Sequence, residues 1–309
     1  MNTIHTVLIT GANAGLGYEA AKQLAQQKGV EKIYLGCRNL AKAQDAKANL
    51  VLTSGKDIFE ILIIDVASAD SVRSAVAKLK TPIDAVVLNA GGMGGQTPNE
   101  LTDDGVTTIF ASNLLGHVVL VDELLQRQLV TSTILYAGSE AARGIPKMGV
   151  DKPDLKDHSV DEFITIANGD KFGAKADPLN VYGTIKLTGA LWMSAMARRH
   201  PHIRFVTMSP GGTTGTNGMD DLPFVKKVFF KYIGALVMPK LGMMHSVETG
   251  AKRYVDGLLN SGFKSGLFYA SKAGSPTGPV VDQTSIDQTF VNESAQNAAW
   301  QAVQQFAHK

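Results

Sequence analysis

LITGANAGLGYEAA, residues 8–21, joins an apolar run to a helical pattern through a loop that contains Gly11, Gly15 and Gly17. Small residues in such a loop let the backbone approach a pyrophosphate, and the N-terminus of the following helix offers unpaired N–H groups and a favourable dipole. The G-x-x-x-G-x-G spacing differs from the usual G-x-G-x-x-G fingerprint. A turn that only packs strand against helix is the alternative, but a strand before the loop and a helix after it are the context that nucleotide binding requires.

This loop opens an alternation of apolar runs and helical patterns along the first two thirds of the chain. The runs are rich in Val, Ile and Leu, as in strands that are buried on both faces. They are HTVLIT (5–10), KIYLGC (32–37), FEILIID (59–65), IDAVVLNA (83–90), STILYAG (132–138) and IRFVTMSP (203–210). The pattern predicts an α/β protein with a Rossmann-like, doubly wound parallel sheet, in a single domain that spans residues 1–309.

Two stretches interrupt the alternation. Residues 143–178 are polar and are predicted to form an insertion before Tyr182, whereas residues 212–245 begin as a Gly/Thr-rich turn and continue as an apolar, basic segment. Long loops in compact domains are usually functional, so we predict that 212–245 is a substrate lid. Residues 270–309 are predicted to be a C-terminal extension.

Composition sets broad limits on function. The chain is 44% hydrophobic and 19% charged, with a net charge of +2 from dispersed side chains, so we expect a globular protein and no nucleic-acid partner. The single cysteine, Cys37, excludes an internal disulfide and a cysteine-based metal cluster, and we predict no metal site. We find no signal peptide and no uninterrupted apolar run long enough to cross a bilayer, which predicts a cytoplasmic protein.

The end of the second predicted strand indicates which dinucleotide binds. Arg38 lies where the adenosine ribose is expected, and the usual acidic residue is absent. Because a guanidinium there can hold a 2′-phosphate, we predict NADP(H), with Asn39 and Lys42 as helpers. At the end of the third strand, Asp65 and Val66 are placed to contact the adenine, although an acid at a helix N-terminus is the alternative interpretation of Asp65.

Tyr182 and Lys186 in NVYGTIKLTG (180–189) have the spacing of a proton-transfer pair, and so do Tyr18 and Lys22 in the first predicted helix. Spacing alone does not separate the two pairs. The N-terminus of the first helix is predicted to hold phosphates, whereas the later pair follows the fifth strand and Ser139. We therefore interpret Tyr18 as a packing residue and Lys22 as a solvated charge.

Several motifs in this order resemble the short-chain dehydrogenase/reductase superfamily. They are TGANAGLG, Asp65–Val66, NAG at 89–91, Asn113 in ASNLLGH, Ser139, the Tyr182/Lys186 pair and SPGGT at 209–213. Within the superfamily, CRNLAKA and the long gap before Tyr182 look most like the branch of retinol dehydrogenases and protochlorophyllide reductases. The resemblance implies that the following residues bind the cofactor: Gly11, Asn13, Gly15, Leu16, Gly17, Arg38, Asn39, Asp65, Val66, Asn89, Ala90, Gly91, Tyr182, Lys186, Pro210, Gly211 and Thr213.

The resemblance also implies a catalytic tetrad of Asn113, Ser139, Tyr182 and Lys186. Lys186 would favour the Tyr182 phenolate by lowering its pKa, and Ser139 would hold the substrate oxygen against Tyr182. Asn113 would place a water in a proton relay that leads to Lys186. The predicted activity is hydride transfer between NADP(H) and a carbonyl/alcohol pair.

The identity of the substrate and partners depends on residues 222–241, where apolar residues recur at helical spacing between lysines. A lid, a helix on a membrane surface and a subunit contact all fit this pattern. An apolar lid would favour a hydrophobic small-molecule substrate. Relatives often form homodimers through the helices that carry Asn113 and Tyr182, although the 143–178 insertion could cover those surfaces instead.

Two other functions fit part of the sequence. One is a non-catalytic NADP-sensing or scaffold protein, against which the intact Tyr182/Lys186 pair counts. The other is reduction of a ring double bond, as in protochlorophyllide reductases. Those enzymes carry an active-site cysteine before the tyrosine, whereas here the only cysteine is Cys37, at the nucleotide end.

Overall fold

A computed structural model describes residues 4–173, 176–214 and 242–308. The strands are β1 Thr6–Thr10, β2 Lys32–Cys37, β3 Phe59–Ile63, β4 Ile83–Leu88, β5 Val130–Ala137, β6 Arg204–Met208, β7 Phe268–Ser271 and β8 Val280–Asp282. They form one sheet in the order β3-β2-β1-β4-β5-β6-β7-β8, in which β8 alone pairs antiparallel. The predicted doubly wound, Rossmann-like parallel sheet is confirmed.

Helices cover both faces of this sheet. They are α1 Gly15–Ala25, α2 Leu40–Ser54, α3 Ala69–Val76, α4 Thr108–Gln126, α5 Val160–Asn168, α6 Pro178–Arg199, α7 Val247–Leu259 and α8 Glu293–Ala307. One apolar core lies under α1, α2 and α7, and a larger one lies under the other five helices. Strand β1 contributes side chains to both cores: Val7 and Ile9 belong to the first core, and Leu8 belongs to the second. Such alternation is typical of a strand that is buried on both faces.

The C-terminal region completes the sheet. Strands β7 and β8 have only four and three residues, too short for an apolar pattern to reveal them from the sequence. The predicted 270–309 extension therefore begins inside β7 and continues into β8 and α8. Residues Ala299 and Val303 of α8 are buried in the larger core.

The 143–178 insertion contains a packed helix. Its helix α5 begins after Ser159, whose side chain accepts a hydrogen bond from the Glu162 N–H. Phe163 and Ile166 on this helix are fully buried against the larger core. The insertion is thus more than the polar surface stretch that its composition predicts. The segment 222–241, predicted as a lid, a membrane contact or a subunit contact, lies outside the described residues.

Helix α4 is apolar enough and long enough to cross a membrane by length and composition, although 72% of its most apolar 18-residue window is buried within the protein. This helix is not an uninterrupted apolar run, because Asn113, Asp122 and Glu123 lie within it. Burial identifies α4 as a core helix. Together with α6, it packs beneath α8.

Candidate active site

The glycine loop is shaped to accept an anion at the start of α1. Gly11 and Gly15 have positive φ values of 68° and 56°, which side chains rarely adopt. A Cβ on Gly17 would lie 2.4 Å from the Gly11 carbonyl oxygen, so the loop folds closely over the helix. Ala14 precedes the helix and gives it no side-chain cap. The first N–H groups of α1 are therefore free of a capping side chain, as a phosphate site requires.

Thr10 and Asn89 fasten this loop to the end of β4. The Thr10 hydroxyl accepts hydrogen bonds from the N–H groups of Asn89 and Ala90, both at 2.9 Å. In return, the Asn89 amide donates to the Thr10 carbonyl at 2.9 Å. The NAG motif thereby supports the glycine loop from below. The sequence interpretation missed Thr10, whose only signal is its place directly before Gly11.

The adenosine end of the cleft lies beyond β2 and β3. Arg38 is exposed there and forms no ion pair with any described residue. Asn39 caps α2 through a 2.9 Å hydrogen bond from the Lys42 N–H. Asp65 lines the same cleft, and its Oδ1 accepts from the Ala67 N–H at 3.0 Å in the turn before α3, whereas the N-cap of that helix is Ser68.

Ser139 and Tyr182 meet at the other end of the cleft. Ser139 follows β5, and its hydroxyl accepts from the Ala141 N–H at 3.2 Å and lies near enough to the Tyr182 phenol to affect the pKa of that phenol. Gly183 allows this approach, because a Cβ there would lie 2.6 Å from the Ala141 carbonyl oxygen. Burial raises the pKa of Tyr182 to about 12, and the hydrogen bond from Ser139 opposes that rise.

Lys186 lies one turn after Tyr182 and is only 3% exposed. Its Nζ donates to the Ala137 carbonyl at 2.9 Å and lies 5.4 Å from the centroid of the Tyr182 ring. Burial lowers the pKa of Lys186 to about 7. The sequence led us to expect a lowered pKa for Tyr182. In the structure it is raised, because burial disfavours the charged phenolate.

Tyr136, which the sequence interpretation missed, joins Lys186 to Asn113. The Lys186 Nζ lies 4.8 Å from the Tyr136 ring centroid, within the range of a cation–π contact. The Tyr136 hydroxyl donates to the main-chain carbonyl of Asn113 at 2.9 Å. Gly189 makes room for this ring, since a Cβ there would lie 2.5 Å from it.

Asn113 is fully buried in α4, within the π-helical segment Ala111–Leu115. Its amide nitrogen donates to the Gly92 carbonyl at 2.7 Å and to the Ile109 carbonyl at 2.8 Å. Its Oδ1 accepts from the Gly92 N–H at 3.1 Å. The side chain therefore holds the loop after β4, and the proton-relay role that the resemblance implies stays a prediction.

These elements enclose one cavity of about 640 Å³. Of the predicted site residues, it is lined by Gly11, Asn13, Gly15, Leu16, Arg38, Asn39, Asp65, Val66, Asn89, Ala90, Gly91, Tyr182, Lys186 and Pro210. The remaining five are not among its lining residues: Gly17 lies under the loop, Asn113 contacts Gly92, Ser139 lies beside Tyr182, Gly211 lies against His245, and Thr213 forms a β-bridge with His245. Sequence reasoning also missed Met93, Thr108, Ser112 and Tyr254, which line the cavity without any motif to mark them.

The chemistry of this cavity fits a nicotinamide dinucleotide. At one end, an exposed guanidinium stands beside the start of α2, and in the middle an uncapped helix N-terminus faces glycines. Gly91 is part of the same cradle, because a Cβ there would lie 2.5 Å from Oδ1 of Asn113. A phenol and an amine stand at the far end, where proton transfer would occur.

The likeness to known proteins agrees with this geometry. The profile of the short chain dehydrogenase family matches residues 5–147. Dehydrogenase/reductase SDR family member 12 of Bos taurus is 28% identical over 209 residues, which are 66% of this chain and 59% of that protein. Protochlorophyllide reductase B, chloroplastic, of Oryza sativa subsp. japonica is 31% identical over 237 residues, 68% of this chain and 56% of that protein. The chain thus spans less than two thirds of the length of these relatives.

Solved structures share the fold at lower identity. L-sorbose reductase from Gluconobacter frateurii, in complex with NADPH and L-sorbose, has a TM-score of 0.62 at 17% identity, covering 90% of this chain and 98% of that one. Salutaridine reductase from Papaver somniferum has a TM-score of 0.61 at 18% identity, covering 85% and 99%. These solved structures show the fold alone. The family profile and the sequence relatives, which agree with the sheet order and the glycine loop, show that the chain belongs to the short-chain dehydrogenase/reductase superfamily, near the branch of retinol dehydrogenases and protochlorophyllide reductases.

Proposed function

We propose that this protein is an NADP(H)-dependent oxidoreductase that interconverts a carbonyl and an alcohol on a hydrophobic small molecule. The observation that carries the proposal is that Tyr182, with Ser139 beside it, lines the end of a cavity that Lys186 also lines. A substrate oxygen held by both hydroxyls would lie within reach of the phenol proton.

The reaction divides between the cofactor and this chain. The bound dinucleotide supplies or accepts the hydride at the substrate carbon. In the direction of reduction, Tyr182 gives its proton to the substrate oxygen, and Ser139 holds that oxygen in place. The raised pKa of Tyr182 keeps the phenol protonated near neutral pH, which suits a proton donor. Lys186 is placed beside both tyrosine rings to return a proton afterwards.

The preference for NADP(H) is supported by the exposed Arg38 at the adenosine end of the cavity. Lys42 lines the same corner, so two cations face the position expected for a 2′-phosphate. The structure of the L-sorbose reductase contains NADPH, as does that of the carbonyl reductase from chicken fatty liver.

A substrate lid at 212–245 is supported by the position of its described ends. Thr213 and His245 form a β-bridge, and the His245 N–H donates to the Gly212 carbonyl at 2.8 Å. The two described ends of the segment therefore meet next to Pro210, which lines the cavity. The apolar sequence of residues 222–241 favours a hydrophobic substrate.

Reduction of a ring double bond as in protochlorophyllide reductases is disfavoured by the position of Cys37. This residue lies at the adenosine end of the cavity, and burial raises the pKa of its thiol to about 11. The only cysteine of the chain thus lies at the opposite end of the cavity from Tyr182.

The test is NADPH oxidation with a panel of hydrophobic ketones and aldehydes. Tyr182→Phe should lower turnover by about 10²- to 10⁴-fold while NADPH binding is retained, because only the proton donor is removed. Tyr18→Phe is the matched control, since Tyr18 packs against the core outside the cavity, and it should turn over like the wild type. Equal turnover in wild type and Tyr182→Phe would contradict the mechanism, and NADPH binding without any turnover would favour a sensor.

A further inference from the structure

A buried ion pair lies directly behind the catalytic serine. Glu140 follows Ser139 in the chain and is 3% exposed, and Arg253 of α7 is 6% exposed. The Arg253 Nη1 lies 3.5 Å from the Glu140 Oε1. Neither residue lines the cavity, and neither belongs to a motif in the sequence.

Both oxygens of the Glu140 carboxylate accept hydrogen bonds from neighbouring strands. Oε2 accepts from the Ser209 hydroxyl, which follows β6, and Oε1 accepts from the Ser271 N–H of β7 at 3.0 Å. The Ser209 hydroxyl oxygen in turn accepts from the Gly211 N–H at 3.1 Å. One carboxylate thus joins the strand end that bears Ser139 to the turn that carries Pro210.

Arg253 fixes the same turn from the other side. Its guanidinium donates to the Ser209 carbonyl at 3.3 Å and to the Ser271 hydroxyl at 3.0 Å. A third hydrogen bond reaches the Gly278 carbonyl at 2.9 Å. Pro276 lies two residues before Gly278, and its carbonyl accepts a hydrogen bond from the Gly212 N–H at 2.6 Å. Arg253 therefore ties both sides of the turn after β6 to α7.

We propose that Glu140, paired with Arg253, is a positioning residue that sets the distance between Ser139 and the Pro210–Gly211 turn. The inference rests on the proposed function, in which Ser139 holds the substrate oxygen, and on the position of Pro210 in the cavity wall. The pair acts through Ser139 and Ser209 and touches neither substrate nor cofactor.

Stability alone does not account for this arrangement. A buried ion pair costs desolvation free energy that its attraction only about offsets, so an apolar pair of similar volume would fold as well. The carboxylate does what an apolar side chain cannot, because it links the ends of three strands through directed hydrogen bonds. Its position immediately after Ser139 fixes the orientation of the serine.

Glu140 also bears on the proton donor. Its negative charge contributes to the raised pKa of Tyr182, after burial and against the hydrogen bond from Ser139. The same charge raises the pKa of Tyr254 and opposes the lowering of the Arg253 pKa by burial. The titratable groups that face this cluster are Tyr136, Arg143, Tyr182, Lys186, His245, Arg253 and Tyr254.

The test compares Glu140→Gln, the double variant Glu140→Gln/Arg253→Met and the control Glu162→Gln in the full-length chain. Glu162 is a buried, ion-paired glutamate of α5, 2.6 Å from the Lys171 Nζ. Glu162→Gln therefore breaks a comparable buried ion pair at a position away from Ser139. Glu140→Gln should lower kcat about tenfold or more and change the NADPH dissociation constant less than about threefold, because Arg38 and the glycine loop set affinity. The alkaline limb of the pH–rate profile for carbonyl reduction by Glu140→Gln should move to lower pH, because the variant loses a negative charge that raises the pKa of Tyr182.

The double variant separates positioning from stability. It removes the unpaired guanidinium and should recover thermal stability without recovering kcat, whereas Glu162→Gln should lose stability and keep the wild-type kcat and pH profile. The fluorescence emission of bound NADPH can be measured without turnover. This emission should change in Glu140→Gln but not in Glu162→Gln. Wild-type emission together with a wild-type kcat and pH profile in Glu140→Gln would overturn the inference. Absence of turnover in the wild type would instead contradict the proposed function, and the emission comparison would still decide this inference.

Discussion

Asn113 holds the peptide groups of Gly92 at both ends, accepting from its N–H at 3.1 Å and donating to its carbonyl at 2.7 Å. The second amide hydrogen goes to the Ile109 carbonyl at 2.8 Å. Both amide hydrogens of the side chain are thereby engaged within the protein. Its main-chain carbonyl is engaged as well, by the Tyr136 hydroxyl. In this structure Asn113 supports the cavity wall, and Tyr136 links its carbonyl to Lys186.

This arrangement predicts a large effect for Asn113→Asp. A carboxylate cannot donate to the Gly92 and Ile109 carbonyls, and it would be a buried charge. We expect a loss of about 2–4 kcal/mol in the free energy of unfolding, together with weaker NADPH binding. Urea unfolding monitored by circular dichroism measures the first and fluorescence titration the second. Ser112→Ala, which removes only a hydroxyl bonded within the same helix, should cost less than about 1 kcal/mol. Similar costs for the two variants would show that the Gly92 contacts contribute little.

Arg38→Ala should weaken NADPH binding more than about tenfold and leave NADH binding nearly unchanged. The physical reason is that the guanidinium would contact only the 2′-phosphate, which NADH lacks. Isothermal titration with both nucleotides measures the difference. Lys47→Ala is a suitable control, because Lys47 lies on α2 and pairs with Asp57 outside the cavity. An equal loss for NADPH and NADH would remove the 2′-phosphate assignment.

Lys186→Met should stabilise the protein at low pH while abolishing turnover. The unfolded chain holds this proton up to a pKa of about 10.5, and the folded chain releases it at about 7, so wild-type stability rises with pH across that interval. The cost of burying the charge is fully present below pH 7 and is absent above pH 10.5. We expect a gain of about 2 kcal/mol or more at pH 6 that shrinks by pH 9.

The control for this variant is Lys22→Met, the lysine of the second Tyr/Lys pair. Lys22 forms an ion pair with the buried Glu19 at 2.7 Å, and the pKa of Lys22 is raised, so its removal should give no gain at any pH. Thermal unfolding from pH 6 to pH 9 compares the two variants. A gain for Lys186→Met that is independent of pH would show that packing, and not charge burial, is responsible.

We expect the chain to be a monomer of 32.9 kDa in solution. Helix α8 packs against α4 and α6, the surfaces through which relatives are expected to dimerise, and the Arg199 guanidinium lies 3.9 Å from the Trp300 ring at this contact. Sedimentation equilibrium at micromolar concentration measures the mass. Ala299→Arg, at a fully buried position of α8, should lower the melting temperature, whereas the exposed Gln301→Arg should not. A stable dimer of the wild type would show that α8 does not block association.

Local sequence was sufficient to predict those features whose residues all lie within one segment of the chain. The first six strands follow from their apolar runs, and the β2 run KIYLGC coincides with the strand Lys32–Cys37. The two Tyr/Lys pairs were separated by their positions along the chain. Tyr18 indeed packs against a core, and Lys22 pairs with Glu19, whereas Tyr182 and Lys186 line the cavity.

The sequence by itself determined the first six strands, the glycine loop and the order of the site residues, because these depend on periodicity and spacing within single segments. Tertiary structure alone decided which distant groups meet. Glu140 contacts the Ser271 backbone, 131 residues away, and Tyr136 reaches the Asn113 carbonyl, 23 residues away. It also decided the direction of the Tyr182 and Lys186 pKa values, since burial depends on every element packed around the two groups, and no spacing of residues encodes it.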